Sequence, residues 1–258
     1  MDAPPLITPA TVCDTGTSPV DTTVLYRQRF SDGECREKHG LWSVLVRSVL
    51  QRYVKPSDTV LDLGGGFCEF INLVQAGRKY VADVNPAVVR YAERDVQVVP
   101  IVDGRIVLQD GACDVVFASN VFEHLHHTAE LFDVLKDIRR VLAPAGRLLV
   151  LQPNIRYAYR EYWDFIDHHL PLSHRSLGEA LQLAGFVVRE CRPRFLPYST
   201  KGCIPKWPVL LWLYLHLPLC WPVFGKQMFM MAESRGGLVG EAEGCAPLRP
   251  AESQIPSF

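Results

Sequence analysis

Apolar positions along the chain follow two periods, one typical of helices and one typical of buried strands. Between residues 41 and 54 they share one broad helical face in LWSVLVRSVLQRYV. Further on, short apolar runs alternate with helical patterns, and strands that are apolar on both faces are typical of a parallel sheet covered on both sides. The pattern therefore predicts one α/β domain. The predicted strands are 59–63, 79–84, 96–99, 113–119, 147–152, 186–195 and 227–232.

Two helix starts have recognisable capping sequences. Asn85 and Pro86 supply an N-cap and a first-turn proline for a helix that runs to about residue 93. The S-x-x-E form of residues 176–179 predicts a capping box, with a helix that begins there and ends at Gly185.

The two ends of the chain lack a core pattern. We predict a flexible arm over residues 1–25, a domain over 26–232 with a cap at about 196–225, and a flexible tail over 233–258. The hydrophobic share of 48% and the charged share of 21% are close to the averages of globular proteins. Disorder throughout the chain is therefore excluded.

Net charge indicates which kinds of partner the protein can bind, and cysteine usage indicates the redox state of its cell compartment. The net charge is −1 and no long basic run occurs, so a nucleic-acid partner is not expected. The eight cysteines form no C-x-x-C pair, which is typical of free thiols in a reducing cytosol. The first residues show neither the basic region nor the apolar core of a signal peptide. We expect a cytoplasmic protein.

The segment VLDLGGGFCEF, residues 60–70, leads from an apolar strand into three glycines. A P-loop would need Gly-Lys-Ser/Thr after the glycines, and a dinucleotide fingerprint would need glycine where Glu69 stands. Asp62 precedes the glycines, and Asp83 follows at close to the interval of about 20 residues at which an acid binds ribose hydroxyls. These carboxylates favour a cationic ligand without phosphate, such as S-adenosylmethionine.

Four segments follow one another over about residues 59–155: VLDLGGGFCEF, VADVNP, CDVVFASNVFEHL and VLAPAGRLLVLQPN. In this order they resemble the class I S-adenosylmethionine-dependent methyltransferases, the broad family that includes the ubiquinone-biosynthesis-type enzymes (methyltransferase type 11-like). The resemblance implies a Rossmann-like methyltransferase fold: a mostly parallel seven-stranded sheet with helices on both faces. It also implies S-adenosylmethionine as the cofactor and methyl transfer as the reaction.

The resemblance also implies roles for individual residues. Asp83 would bind both ribose hydroxyls, and Asp103, aligned with a one-residue gap, would meet the adenine amino group. Asn120 and His124 would lie near the methionine part or the transferred methyl group. Glycines after a strand can also form a simple tight turn, and Asp83 can cap the next helix. The implied cofactor-binding residues are Asp62, Gly64, Gly65, Gly66, Asp83, Val84, Asp103, Asn120 and His124.

Cys68 stands where the family usually has a third glycine. We expect this position to begin a helix and to need a small side chain more than a left-handed backbone, so that cysteine costs little.

Methyl transfer to a hydroxyl needs an aligned nucleophile, exclusion of water and a proton acceptor. Two histidine-rich segments, 123–127 and 164–174, supply His124, His168 and His169 as candidate catalytic bases. Each of them can instead be structural. A metal site built from both segments is an alternative, but no H-E-x-x-H spacing supports it, and we assign no metal ligand.

The segment after the 147–152 strand is dense in aromatic and polar residues. We expect it to contact the substrate, and its composition suits a polyol, a sugar or a phenolic ring. No Asn/Asp-Pro-Pro-Tyr/Phe motif follows the 113–119 strand, which favours an oxygen or carbon acceptor over a nucleobase amine. The predicted substrate-binding residues are Asn154, Arg156, Tyr157, Tyr162 and Trp163.

Residues 207–224, WPVLLWLYLHLPLCWPVF, are apolar almost throughout, but three prolines interrupt them. A helix that is apolar on all sides is either buried or in contact with a membrane or partner. We therefore expect packing over the sheet or the active site, with peripheral membrane contact as the alternative.

These features together predict a methyltransferase that acts on a hydroxyl of a small molecule or glycan. The alternatives are a non-catalytic scaffold that binds the cofactor, or a C- or N-methyltransferase of a lipid-linked or quinone-like acceptor.

Overall fold

The computed structural model describes residues 32–198 and 207–235. The predicted arm over residues 1–25 lies outside the described residues, and so does most of the predicted tail. The strands are β1 Thr59–Leu63, β2 Arg78–Ala82, β3 Val96–Val98, β4 Ile101–Val102, β5 Arg105–Ile106, β6 Cys113–Ser119, β7 Leu142–Pro153, β8 Phe186–Leu196 and β9 Gln227–Ser234. The α-helices are α1 Asp32–Ser48, α2 Glu69–Leu73, α3 Thr128–Val141, α4 Ile155–Ala158, α5 His174–Leu183, α6 Pro208–His216 and α7 Trp221–Phe224.

Seven of the strands form one sheet in the order β3-β2-β1-β6-β7-β9-β8. Every neighbouring pair is parallel except those that involve β9, which runs antiparallel to both β7 and β8. The strand order reverses between β1 and β6, and ligands of such sheets bind beyond the carboxyl ends of the strands at this point. The mostly parallel seven-stranded sheet is confirmed.

Each face of the sheet is covered by helices, as the apolar strands require. On one face, Leu135 of α3 and Leu181 of α5 pack into a buried cluster. On the other face, Val46 of α1, Ile71 of α2 and Leu215 of α6 pack into a second cluster. Helices α1 and α6 approach closely: a Cβ atom added at Gly40 would lie only 3.0 Å from Cγ of Pro208.

Several element boundaries differ from the predicted ones. The helix predicted to begin at Ser176 begins at His174 instead, because Ser173 is the N-cap and forms the capping box with Ser176. The last strand extends to Ser234, two residues into the segment predicted as a tail. Asn85 is an N-cap as predicted and accepts a hydrogen bond from the Ala87 amide, but the helix that it starts is a short 3-10 helix.

Candidate functional site

A cavity of about 640 Å³ opens at the carboxyl ends of β1 and β6. Helix α1, the glycine turn (residues 64–68) and α6 enclose it. Its wall has three parts: an acidic part beside the glycine turn, a part with Glu123, His124 and His168, and an apolar part beneath α6. The predicted packing of the 207–224 segment over the site is therefore present.

The three glycines are required by the packing of the turn itself. Gly64 and Gly66 have φ angles of 69° and 53°, in the left-handed region that favours glycine. A Cβ at Gly64 would lie 2.5 Å from Cγ2 of Val121, and one at Gly65 would lie 2.3 Å from Cγ2 of Val81. The bare backbone of all three residues lines the cavity. The turn therefore leaves main-chain atoms, without side chains, facing a ligand.

Cys68 corrects the expectation that this position needs no left-handed backbone. Its φ of 60° and ψ of 23° are left-handed, and it is the residue that precedes α2. Its side chain is fully buried, and burial raises the pKa of the thiol to about 12. Cysteine therefore occupies a position whose backbone favours glycine, at a cost of about 1–2 kcal/mol.

Three carboxyl groups surround the glycine turn and form the acidic cluster: Asp62, Glu69 and Asp83. Asp62 is buried, and burial together with the negative charges of Glu69 and Asp83 holds its pKa well above the usual range. Burial likewise raises the pKa of Glu69, although Lys38 acts in the opposite direction. Adjacent buried acids are stabilised by a cationic ligand, because opposite charge favours their ionised form.

Asp83 holds the glycine turn in place. Its Oδ2 accepts a hydrogen bond of 2.8 Å from the Gly66 amide, and its Oδ1 accepts one of 2.7 Å from the Asn85 amide. The position at the end of β2 beside the turn agrees with the predicted ribose contact, which stays a prediction. The neighbouring Val84 is exposed, and its predicted cofactor contact also stays a prediction.

Asp103 occupies a different kind of position from the one predicted. Asp103 and Gly104, with φ angles of 49° and 74°, form the two-residue turn of the hairpin β4–β5. Asp-Gly between apolar flanks is a strong hairpin signal, and the sequence analysis missed it. Asp103 is exposed and is not among the residues that line the cavity. The structure gives its predicted contact with adenine no support.

Glu123, His124 and His168 come together in one part of the cavity wall. We call this part the acceptor end, because we expect the methyl acceptor to bind there. Asn120, also in its wall, adopts a φ of 52° where the chain leaves β6, and Glu123 and His124 belong to the 3-10 turn that follows. The Glu123 carbonyl accepts hydrogen bonds from the His169 and Leu170 amides, and these bonds place His168 beside His124.

Electrostatics at the acceptor end differ from those at the glycine turn. The Glu123 side chain is 2% exposed, and burial raises the pKa of its carboxyl to about 8, with Asp167 adding to the rise. Nδ1 of His124 lies 2.9 Å from the Asp167 carbonyl oxygen and 3.3 Å from its Oδ2. The imidazole of His124 is thus oriented by Asp167, as expected of a histidine that binds a ligand or transfers a proton.

His169 is separated from the other two predicted catalytic histidines. Its ring stacks on that of His126, with centroids 4.3 Å apart, and it is exposed and not part of the cavity wall. His124 and His168 line the cavity. Of the three predicted bases, only these two are placed to meet a ligand there.

The five predicted substrate-binding residues lie away from the cavity. Asn154 is buried, and its side-chain amide bonds to the Pro193 carbonyl and His174 while its Oδ1 caps α4. Tyr162 is buried and donates its hydroxyl to the Leu170 carbonyl. Both are structural, which corrects the prediction. The other three, all described and none of them in the cavity wall, are Arg156, Tyr157 and Trp163.

Other residues line the cavity instead: Phe165, from the segment predicted to contact the substrate, and several residues from elsewhere in the chain that were not among the predicted binding residues. Phe165 and Tyr198 lie in the wall, as do Trp42 of α1 and the two acids Glu69 and Glu123. The sequence analysis uses Glu69 only to exclude a dinucleotide fingerprint, although an acid three residues after the last glycine is itself a signal for a cation.

The cap, residues 207–224, presents two surfaces. Leu210 and Leu211 line the cavity, and the Tyr214 hydroxyl and the Arg194 guanidinium anchor the cap to β8 through main-chain carbonyls. The outer surface is exposed and apolar. Among the described residues, no helix combines the length and the apolar character that crossing a membrane requires. The most exposed residues of the cap are Trp207, Val209, Trp212, Leu213, Leu219, Val223 and Phe224.

Comparison with known proteins agrees with this geometry. Residues 61–150 match the family model described as a methyltransferase domain. A ubiquinone/menaquinone biosynthesis C-methyltransferase of Klebsiella pneumoniae is 30% identical over 154 residues, which are 50% of this chain and 61% of that protein. The chain thus spans less than two thirds of the length of this curated relative.

Solved structures share the fold at low sequence identity. An S-adenosylmethionine-dependent methyltransferase from Archaeoglobus fulgidus superimposes with a TM-score of 0.57 at 20% identity, over 83% of this chain and all of that one. The PH0226 protein from Pyrococcus horikoshii gives a TM-score of 0.57 at 16% identity, over 82% and 98% of the two chains. The fold and the family-model match agree with the resemblance to class I methyltransferases: residues 61–150 are similar to a methyltransferase domain, and S-adenosylmethionine is the cofactor that this similarity implies.

Proposed function

We propose that this chain transfers a methyl group from S-adenosylmethionine to a hydroxyl oxygen of a small molecule or glycan. The observation that carries the proposal is one cavity whose wall joins Asp62 and Glu69 of the acidic cluster to Glu123, His124 and His168. The first group suits a cationic cofactor, and the second suits an acceptor that must lose a proton.

The chain's own groups have distinct parts in this reaction. When bound, S-adenosylmethionine supplies a methyl group that its sulfonium already activates. The glycine turn and the acidic cluster bind and orient the cofactor. His124, held by Asp167, is placed to take or pass on the acceptor proton, and the aromatic rings of Phe165 and Trp42 exclude water from the cavity.

The apolar part of the cavity extends the proposal to an amphipathic acceptor. Trp207, Leu210 and Phe224 both line the cavity and remain partly exposed on the cap. A continuous apolar path therefore leads from the outer surface of the cap to the acceptor end. An acceptor with a polar head at Glu123 and His124 and an apolar tail along α6 fits this path, which favours a lipid-linked glycan or polyol.

Peripheral membrane contact through the cap follows from the same surface. Leu219 is 90% exposed and Val223 is 64% exposed, and a contiguous apolar surface of this kind marks an interaction site. This contact is tested by co-sedimentation. We expect the protein to sediment with phosphatidylcholine/phosphatidylglycerol vesicles. The double variant Leu219→Asp, Val223→Asp is expected to remain in solution. Leu183→Asp is the matched control, because Leu183 is as exposed but lies on α5, across the sheet. Failure of the wild type to sediment would exclude membrane contact.

The reaction itself is tested with isotope-labelled methyl donor and a panel of hydroxylated acceptors. Formation of S-adenosylhomocysteine together with a labelled ether is the expected result. Binding of the cofactor without turnover of any acceptor would instead support the scaffold alternative. A label found on carbon would support the second candidate, C-methylation of a quinone-like ring, which the name of the Klebsiella relative and the apolar cavity favour.

Cofactor binding has its own matched pair of variants. Asp83→Asn is expected to weaken S-adenosylmethionine binding by about 2 kcal/mol, because it removes a charged acceptor. Asp103→Asn is the control, since asparagine also tolerates the left-handed turn, and Asp103 lies in the β4–β5 hairpin, whereas Asp83 bonds the Gly66 amide of the cavity-lining turn. Calorimetry in which Asp103→Asn weakened binding and Asp83→Asn did not would reverse the two assignments.

A further inference from the structure

Three potential metal ligands converge at the acceptor end of the cavity: Glu123, His124 and His168. One ligand atom of each lies within 4.8 Å of the other two. Glu123 and His168 are buried, His124 is half-buried, and all three line the cavity. Two imidazoles and one carboxylate form a ligand set of catalytic zinc sites, in which a further position stays open for substrate.

The Glu123 carboxyl group gives an independent reason to expect a cation. Its Oε2 atom is buried and has no hydrogen-bond partner among the described residues. Burying a carboxyl oxygen without a partner is costly. A cation held between Glu123, His124 and His168 would give the Oε2 atom a partner.

His124 has the orientation that metal-binding histidines usually have. Two atoms near its Nδ1, the Asp167 carbonyl oxygen at 2.9 Å and Asp167 Oδ2 at 3.3 Å, are hydrogen-bond acceptors. Nδ1 therefore carries the proton, and the lone pair that can bind a metal is on Nε2. A carboxylate or carbonyl group behind a ligand histidine fixes its tautomer and raises its basicity.

His168 lies in an aromatic environment. Its ring stacks on Phe165 with centroids 4.8 Å apart and contacts Tyr162 at 4.7 Å. The main-chain bonds from His169 and Leu170 to the Glu123 carbonyl hold this segment against the 3-10 turn. A dry, apolar shell of this kind strengthens the binding of a cation by nearby charged ligands.

We propose that Glu123, His124 and His168 bind a divalent cation of the zinc class, with Asp167 as the residue that orients His124. Zinc–ligand bonds are about 2.0–2.2 Å long, so the ligand atoms close in by about 1 Å when the metal enters.

The catalytic part of the inference rests on the proposed hydroxyl methylation. The acceptor oxygen would take the open position on the cation, which would lower the pKa of its hydroxyl group. Because Nε2 of His124 would then bind the metal, the proton would pass to a water molecule instead of to His124. An oxygen lone pair then attacks the methyl carbon, so that a C–O bond forms while the C–S bond breaks. The sulfur keeps the bonding pair and leaves as neutral S-adenosylhomocysteine.

Metal binding is tested on the full chain after removal of metal with a chelator. We expect one equivalent of Co²⁺ to bind, with ligand-field absorption and without the near-ultraviolet band of thiolate ligation. This second criterion matters because the chain has eight cysteines. Glu123→Gln and His168→Asn are expected to weaken binding by more than about 100-fold, and Asp167→Asn by about 10–100-fold, as for outer ligands.

His126→Asn is the matched control, because it also removes one imidazole but lies outside the cavity wall. Glu123→Gln keeps the shape of the side chain and removes a buried acid, so its folding is not at risk. Equal Co²⁺ affinity in wild type and Glu123→Gln, or a thiolate spectrum, would overturn the site.

Different experimental outcomes would contradict the metal site and the proposed function. A bound metal with no S-adenosylhomocysteine formed from any acceptor would contradict the proposed function and leave the site standing. Turnover that is unchanged after the metal is stripped, and unchanged in Glu123→Gln, would overturn the catalytic role of the cation. The expected result is loss of turnover on stripping and recovery when Zn²⁺ is added back.

Discussion

The acidic end of the cavity comes almost entirely from residues 62–69, whereas the acceptor end is assembled from segments far apart in the chain. Asp62, the glycines and Glu69 lie within eight residues of the chain, and Asp83, directly after β2, bonds the Gly66 amide from outside this segment. The acceptor end combines the turn after β6, the loop after α4 and the cap. The first end is therefore fixed by local backbone geometry, and the second by tertiary packing.

The two ends also differ in how their charges are compensated. Asp83 accepts two main-chain amide hydrogen bonds, whereas Oε2 of Glu123 accepts none among the described residues. Substitutions at the acidic end should therefore act through the backbone and cofactor binding together. Substitutions at the acceptor end should act on turnover while the fold persists.

The largest effect is expected at Gly64. Gly64→Ala forces a Cβ to within 2.5 Å of Val121 at a left-handed position, so strain of about 1–2 kcal/mol adds to overpacking of about 1–3 kcal/mol. We expect loss of S-adenosylmethionine binding and a free energy of unfolding lower by roughly 2–5 kcal/mol, measured by urea unfolding.

Gly104→Ala is the control for backbone strain alone. Gly104 has a φ of 74°, and a Cβ there would meet no atom within 4 Å. It should cost only about 1–2 kcal/mol and leave cofactor binding intact. Equal losses in the two variants would show that close packing at Gly64 contributes nothing.

Asp62→Asn is expected to have the next largest effect, and its direction differs between binding and stability. Loss of a charged acceptor should weaken S-adenosylmethionine binding by about 1.5–3 kcal/mol in calorimetry. The free protein should become more stable at neutral pH, because a buried acid next to Glu69 and Asp83 is removed.

The change in stability caused by Asp62→Asn should depend on pH, and its direction follows from the raised pKa of Asp62. Burial holds the pKa of Asp62 well above its value in the unfolded chain. The stability that protonated Asp62 contributes is therefore fully present below the ordinary carboxyl pKa, and it is lost as the pH rises toward the raised pKa. Wild-type stability should fall relative to Asp62→Asn as the pH rises above about 4, the ordinary carboxyl pKa, while cofactor affinity rises. Parallel stability curves would contradict this account.

A smaller effect is expected at Tyr162, which the sequence predicts to bind substrate but which the structure places in the core. Tyr162→Phe removes the 2.7 Å hydrogen bond to the Leu170 carbonyl and should lower the free energy of unfolding by about 1 kcal/mol. The KM for the acceptor should stay unchanged, because Tyr162 lies outside the cavity wall. Phe165→Leu should raise that KM, since Phe165 lines the cavity. The reverse pattern would restore the prediction made from the sequence.

The sequence predicted the features whose cause is local. Strands β1 and β6 begin and end at the predicted residues, and Asn85 caps as expected. Asp-Gly at 103–104 is also a local signal, for a β-hairpin turn. The sequence analysis missed it because it assigned Asp103 to adenine from the family resemblance. Local pattern therefore described the acidic end well.

The acceptor end could not be predicted in the same way. Residues 154–170 show no period, so their composition indicated a functional segment without showing which side chains face inward. Tyr162 faces the core, and Phe165, three residues later, faces the cavity. The direction of each depends on the short helical turns after β7 and on the pairing of this loop with Glu123. Such contacts join residues about 45 positions apart, and no pattern within one segment reveals them.

The smallest effect is expected at Cys68, where strain and packing oppose each other. Cys68→Gly relieves left-handed strain of about 1–2 kcal/mol but loses a buried side chain worth about 1 kcal/mol. The free energy of unfolding should therefore change by less than about 1 kcal/mol, with cofactor binding unchanged. Cys113→Gly is the matched control, because Cys113 is equally buried but lies in the regular strand β6. Without strain to relieve, it should cost about 2 kcal/mol. Equal losses at the two cysteines would mean that the left-handed backbone at residue 68 carries no strain, and that the glycine turn tolerates a side chain there for free.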